Sequence, residues 1–261
     1  MAYDIPISTK WTLDAAGEKG RTAIKSVYMI VCPKTYSKGT GFLLSNGCII
    51  TNQHVVKECV ANEIFGFSSL GEQILFSRVI SDVRRDLSIL FPKQELNSGL
   101  TISEDDNLSV GSVVCTWGFP LGYNGPVPLL SVGHLAGFKD HRIGSNSLKH
   151  LIVNGVFNPG NSGGPLFLAN DDRVVGVVST KHAPISNFHL SAINALASNQ
   201  SGIVFTAVDD KGVTREFVES QIVADILSYF RSLTQVMIGE AISIKELKDL
   251  LTENNIEIRK T

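Results

Sequence analysis

The sequence predicts an all-β fold, a barrel or sandwich, followed by a helical extension, and three observations carry that expectation. Between residues 23 and 208 the chain runs in short β-branched or apolar stretches separated by clusters of Gly, Asn, Asp and Ser, the spacing of antiparallel sheets. Helical periodicity does not appear before about residue 190, whereas a parallel α/β fold needs a helix between successive strands. The 261 residues are 43% hydrophobic and only 18% charged, which excludes a disordered chain and supplies enough apolar surface for a sizeable core.

After a mixed N-terminal segment (1–22), candidate strands cover 24–32, 39–44, 48–51, 63–67, 72–80 and 87–90, each a run of β-branched, aromatic or aliphatic residues. The polar stretch 94–107 is the best linker, so a first β-unit is placed at 23–106. A second, at 107–212, holds candidate strands 112–117, 131–138, 151–153, 165–168, 174–180 and 202–208, with a short helix expected near 190–197. The character changes in 213–261. Phe217, Val218, Ile222, Val223, Ile226, Leu227, Phe230 and Leu233 recur at three- and four-residue spacing, one stripe of an amphipathic helix. Ser243-Ile-Lys-Glu246 is a capping box, and Leu247, Leu250 and Leu251 continue it as a second helix. Both helices are expected to pack on the β body. The second is also a candidate surface for a partner or for self-association, because a short terminal helix must bury its stripe somewhere.

Composition narrows the function classes. With 23 Lys and Arg against 25 Asp and Glu, the net charge of -2 provides no global basic field for nucleic acid or anionic lipid. No stretch approaches the roughly 18–20 apolar residues that span a bilayer, and the N-terminus lacks a basic region followed by an apolar one, so a cytoplasmic location is expected. Of the four cysteines, three sit in apolar runs where a free thiol acts as a small core hydrophobe, and four free thiols are expected. No Cys/His spacing suits zinc, and neither a metal nor a cofactor is expected.

One string carries chemistry. In Asn158-Pro-Gly-Asn-Ser162-Gly-Gly-Pro-Leu, several glycines surround a single serine, a backbone shaped around one hydroxyl, although an ordinary hairpin turn has the same composition. A turn ending at Ser162 can aim the N–H groups of Gly160 and Ser162 at one point, as stabilisation of an oxyanion requires. A base is then needed. Of the six histidines, His54 is delivered to a strand end by Gly39-Thr-Gly-Phe-Leu-Leu and Cys48-Ile-Ile-Thr. Its imidazole needs an acid to fix the tautomer: Asp86, opening the apolar run Leu87-Ser-Ile-Leu, is better placed than Asp82 among more polar neighbours.

The order His54, Asp86, Ser162 and the strings around them resemble the chymotrypsin-fold serine proteases, most closely the HtrA/Deg branch. Trp117-Gly-Phe-Pro-Leu-Gly122 with Ser131-Val-Gly-His-Leu-Ala-Gly137, and Val174-Val-Gly-Val-Val-Ser-Thr180, extend the likeness over about residues 23–208. The resemblance implies two six-stranded Greek-key β-barrels with a C-terminal helical extension, and a serine endopeptidase acting through an acyl-enzyme on protein or peptide substrates. Ser162 would be the nucleophile, His54 the base, Asp86 its orienting acid, and Gly160 and Ser162 the oxyanion donors. By position, Val156, Phe157 and Asn158 would line the primary pocket and Ser179, Thr180 and Lys181 would meet the substrate backbone. The lack of an Asp at the pocket floor implies a small or medium apolar P1 residue. The sequence departs from digestive relatives in having Asn161 before the serine and Val55 after the histidine, and the residues after 208 read as helix and not as a PDZ domain. A rival expectation is a latent or inactive protease-fold binding or chaperone module with a misformed oxyanion turn.

Overall fold

The computed structural model describes residues 5–96, 99–104, 107–144, 146–155, 157–179, 187–208, 214–233 and 238–257. Helices α1 (Ile7–Ala15) and α2 (Glu18–Ser26) come first, where the sequence suggested no helix. Alanine, lysine and glutamate around the Gly17 N-cap favour helix, and Ala23, Ile24 and Ser26 bury one side of α2. The first strand accordingly begins at Val27 instead of 24.

Strands β1 (Val27–Cys32), β2 (Ser37–Leu43), β3 (Ile49–Thr51), β4 (Phe65–Ser68), β5 (Gln73–Asp82) and β6 (Leu87–Pro92) close an antiparallel barrel in the order β1-β2-β3-β6-β5-β4. Its interior is filled by Ile30, Leu43, Ile49, Ile64, Ile74, Phe76 and Leu90. Cys32 and Cys59 form a disulfide across this barrel, which corrects the expectation of four free thiols; Cys48 and Cys115 are free. The bridge ties the end of β1 to the segment that follows His54.

A second closed barrel is built from β7 (Val113–Gly118), β8 (Leu129–Ile143), β9 (Asn146–Asn154), β10 (Pro165–Leu168), β11 (Val174–Val178) and β14 (Ile238–Ser243), around Val114, Leu135, Leu151, Val153, Leu166 and Val178. The fold is thus two six-stranded antiparallel barrels, as the resemblance implied. One strand differs from expectation: the sixth strand is β14, from the stretch expected to be helical tail, and not the run at 202–208. β14 pairs with β11 (Val178↔Ala241) and β9 (Leu151↔Ala241), so Ala241 and Ile242 are fully buried. Chain from both barrels contributes to a third apolar layer, including Phe42, Ile50, Leu87, Phe119, Val177 and Ile242. The final helix α5 (Ile244–Glu253) adds Ile244, Leu247, Leu250 and Leu251 to that layer, and Ser243 caps it by accepting from the Lys245 N–H. The N-cap and the stripe were legible, and the stripe packs on the chain's own barrels; Glu246 accepts from the Lys149 N–H at 3.1 Å instead of completing the expected capping box.

Between β11 and β14 the chain forms a separate unit, His182–Val236. It contains α3 (Asn187–Ser198), the hairpin β12 (Val204–Val208) and β13 (Thr214–Val218), and α4 (Glu219–Leu233). The run at 202–208 therefore is a strand, but its partner is β13. On α4 the expected stripe exists, yet Val223, Ile226, Leu227 and Phe230 are exposed and Ala224 is buried. Among the described residues no helix is long and apolar enough to cross a membrane.

Candidate active site

The site is built where β3 ends and β6 begins. Thr51 and Asn52 are fully buried, and the chain then enters a short 3-10 turn, Gln53–Val55, that carries His54 outward. Across from it, Asp86 adopts a left-handed backbone with φ of 54°. Its carbonyl is held by Gln53 N–H (3.1 Å) and the Asn52 side-chain amide (2.9 Å). The carboxylate accepts from the His54 backbone N–H at 3.0 Å and meets His54 Nδ1 at 2.8 and 3.0 Å. Ser179, buried just after β11, donates its hydroxyl to Asp86 Oδ2 at 3.2 Å, while its N–H bonds to the Glu240 carbonyl at 2.8 Å. The competitor Asp82 is engaged elsewhere, by the backbone N–H groups of Arg84 and Arg85 and by the Arg85 guanidinium.

The serine turn is fixed against β2. Thr40 N–H donates to the Ser162 carbonyl at 2.8 Å, and Thr40 Oγ1 donates to the Gly160 carbonyl at 2.6 Å while accepting from Phe119 N–H at 3.0 Å. Gly163 follows with φ of +86°; a side chain there would run into the Thr40 carbonyl and Thr51 Oγ1, so only glycine lets the turn approach so close to the chain leading to His54. Gly39 lies likewise between Val55 and the Ser162 carbonyl. Ser162 itself is buried.

The turn has a defined handedness. Asn161 N–H bonds to the Asn158 carbonyl at 3.0 Å, with Pro159 at the second position and Gly160 (φ +96°) at the third, the arrangement of a type II turn. The Pro159 carbonyl accepts from Leu121 N–H at 2.7 Å. In a trans peptide the carbonyl and the following N–H point in opposite directions, so the Gly160 N–H is turned away from Leu121.

Of the remaining sequence candidates, Phe157 is 5% exposed and belongs to the second barrel core, where its ring lies against Gly239. It forms wall material and not an open surface. Asn158 supplies the turn's acceptor, and Val156, Thr180 and Lys181 lie outside the described residues. Thr40, Arg85 and Gly239 were not singled out from sequence. Gly39-Thr-Gly41 was the available signal for Thr40; Gly239 had none, because its strand read as tail. A groove of about 620 Å³ is lined by Met29, Val31, Lys38, Phe67, Phe119 and Pro126 among others. Among the described residues no group of three or more His, Cys, Asp or Glu side chains suits a metal ion.

Comparisons with known proteins bear on the family and the fold. A family model described as the trypsin-like peptidase domain matches residues 39–177. A probable periplasmic serine endoprotease, DegP-like, from Pseudomonas fulva is 36% identical over 147 residues, 55% of this chain and 29% of the relative. The protein of the same description from Chlamydia pneumoniae is 30% identical over 192 residues, 69% of this chain and 36% of the relative. The chain thus spans about a third of the length of these relatives. The active form of the Rv3671c protease from M. tuberculosis superposes with a TM-score of 0.59 at 18% identity, covering 94% of this chain and 85% of that one. The HtrA-type protease AlgW with a decapeptide gives 0.59 at 16% identity, covering 90% and 65%. These two likenesses show the fold. The family match spans more than half of the sequence, from the start of the Gly39-Thr-Gly41 string through the serine turn to β11, and the chain belongs to the trypsin-like peptidase family.

Proposed function

We propose that the chain is a serine endopeptidase that cleaves protein or peptide substrates through an acyl-enzyme, with Ser162 as nucleophile, His54 as general base and acid, and Asp86 as the acid that orients His54. The pairing of His54 Nδ1 with Asp86 carries this reading. A carboxylate at Nδ1 accepts a hydrogen bond from Nδ1–H and so fixes the tautomer in which Nε2 is unprotonated and can act as the base. Ser162 Oγ then attacks the scissile carbonyl as Nε2 takes its proton. The oxyanion of the tetrahedral intermediate is met by the N–H groups of Gly160 and Ser162, and His54 returns the proton to the leaving amine. Water repeats the sequence on the ester. The type II turn supports a site formed at rest: with the Pro159 carbonyl drawn to Leu121, the Gly160 N–H is available to the substrate side, where a misformed turn would present a carbonyl.

For specificity we infer a small or medium apolar P1 residue. By position in the sequence Val156 would form the pocket floor, with no acid to receive Lys or Arg and with Phe157 and Asn158 beside it, and Thr180 and Lys181 follow the strand expected to pair with substrate. The DegP-like relatives are named periplasmic, and the Cys32–Cys59 bridge fits an oxidising compartment better than the cytoplasm expected from sequence. Cleavage-site profiling with a peptide library tests the proposal. Cuts after Ala, Val or Ile that vanish in Ser162→Ala are expected; cuts that persist in that variant refute the assignment, and cuts after Lys or Arg refute the pocket.

A further inference from the structure

Asp86 sits in a left-handed backbone conformation that an L residue keeps only where its surroundings hold it. Its carbonyl is anchored by Asn52 and Gln53, but the residue before it is anchored by a different part of the chain. Arg85 is 7% exposed, and its guanidinium forms a fork on Glu253: Nη1 to Oε2 at 2.8 Å and Nη2 to Oε1 at 2.6 Å. Nη1 also donates to Asp82 Oδ2 at 2.6 Å, and Nε faces Glu246 Oε2 at 3.7 Å. Glu246 and Glu253 both belong to α5, whose apolar stripe is packed into the layer formed by both barrels. A planar guanidinium held by two parallel bonds has a fixed orientation, which restrains the buried Arg85 side chain, and with it the backbone before Asp86, from the helix side.

We propose that Arg85, gripped by Glu253, is a positioning residue for the site: α5 holds the backbone of Asp86 in its left-handed conformation and thereby sets the contact of its carboxylate with His54. This rests on the reading of His54, Asp86 and Ser162 given above. The fork touches no substrate, and its effect reaches the chemistry only through Asp86.

Removing Arg85 would leave Glu246 buried without its cation and take from Asp82 its nearer one, and such a variant risks failing to fold. Glu253 is the better probe, because its side chain is 51% exposed at the helix end. In the full-length chain, Glu253→Ala and Glu253→Gln lose the same charge, but Gln keeps an oxygen that accepts from the fork. The expected result is a kcat lowered roughly 10-fold or more in Glu253→Ala with KM unchanged, and partial recovery in Glu253→Gln. The proton resonance of His54 Nδ1–H reports the contact with Asp86 independently of turnover; it is expected to shift or broaden in Glu253→Ala and to return toward wild type in Glu253→Gln. A folded Glu253→Ala variant with wild-type kcat and an unmoved His54 resonance overturns the proposal, even if its melting temperature falls. A chain without Ser162-dependent turnover whose His54 resonance nevertheless moves in Glu253→Ala retains the clamp and refutes the peptidase reading.

Discussion

Thr40 joins the two halves of the site through one side chain and one amide. Its hydroxyl satisfies the Gly160 carbonyl and the Phe119 N–H, and its own N–H satisfies the Ser162 carbonyl. Thr40→Val keeps the shape and removes the hydroxyl, leaving a buried donor and a buried acceptor unpaired at a cost of about 1–3 kcal/mol. The loss falls on the turn that presents the Gly160 N–H. We therefore expect kcat/KM on a peptide ester to fall about 10- to 100-fold while the chain stays folded at 25 °C. Unchanged kinetics would show that the turn does not depend on this hydroxyl. At this scale the sequence was informative where chemistry dictates residue type. His54, Asp86 and Ser162 stand out because an imidazole at a strand end, a carboxylate opening an apolar run and a glycine-flanked hydroxyl suit that chemistry, and the structure pairs the first two. Thr40 was hidden because threonine in a strand is an ordinary β-former, and the Arg85 fork was hidden because its partner lies 168 positions away.

At the scale of elements, the short β-branched and apolar runs located all the strands of the first barrel and five of the second. The sixth, β14, was misread because Ile-Gly-Glu-Ala-Ile-Ser is short, carries Gly and Glu, and runs directly into the Ser243 N-cap of α5. Its burial comes from pairing with β9 and β11, a long-range fact that no local pattern records. The run at 202–208 looked like a barrel strand for the converse reason: β-branched residues signal extended chain but not the partner. β11 and β14 are antiparallel neighbours, so the unit between them is an excursion from what is otherwise a hairpin. Helix α5 makes a pH prediction. Hydrogen bonding to Arg85 lowers the Glu253 carboxyl below its ordinary range. For Asp82, burial pushes the carboxyl up but the bonds from Arg85 and Arg84 outweigh it, and the net direction is also down. A carboxyl lowered on folding adds stability that is present above its unfolded value, about 4, and is lost as pH falls through the folded one. The melting temperature of wild type should therefore exceed that of Glu253→Gln near pH 6–7, with the gap closing toward pH 3. A gap independent of pH would contradict the charge-assisted fork.

On the scale of the whole molecule, two barrels with separate cores share a third apolar layer, and the residues of the site are drawn from the chain around that layer. His54 and Asp86 come from the first barrel, Ser162 and Ser179 from the second, and α5 packs against residues of both. The low charge density, 18% of residues, is the compositional trace of three apolar layers in one chain of 261 residues. The central claim is that this arrangement makes Ser162 a nucleophile. The most direct measurement is labelling of the intact protein with a fluorophosphonate, followed by mass spectrometric mapping. A single adduct on Ser162, absent in Ser162→Ala and slowed at least about 100-fold in His54→Ala, is the predicted result. No adduct on the folded chain, or an adduct whose rate is indifferent to His54, would contradict it.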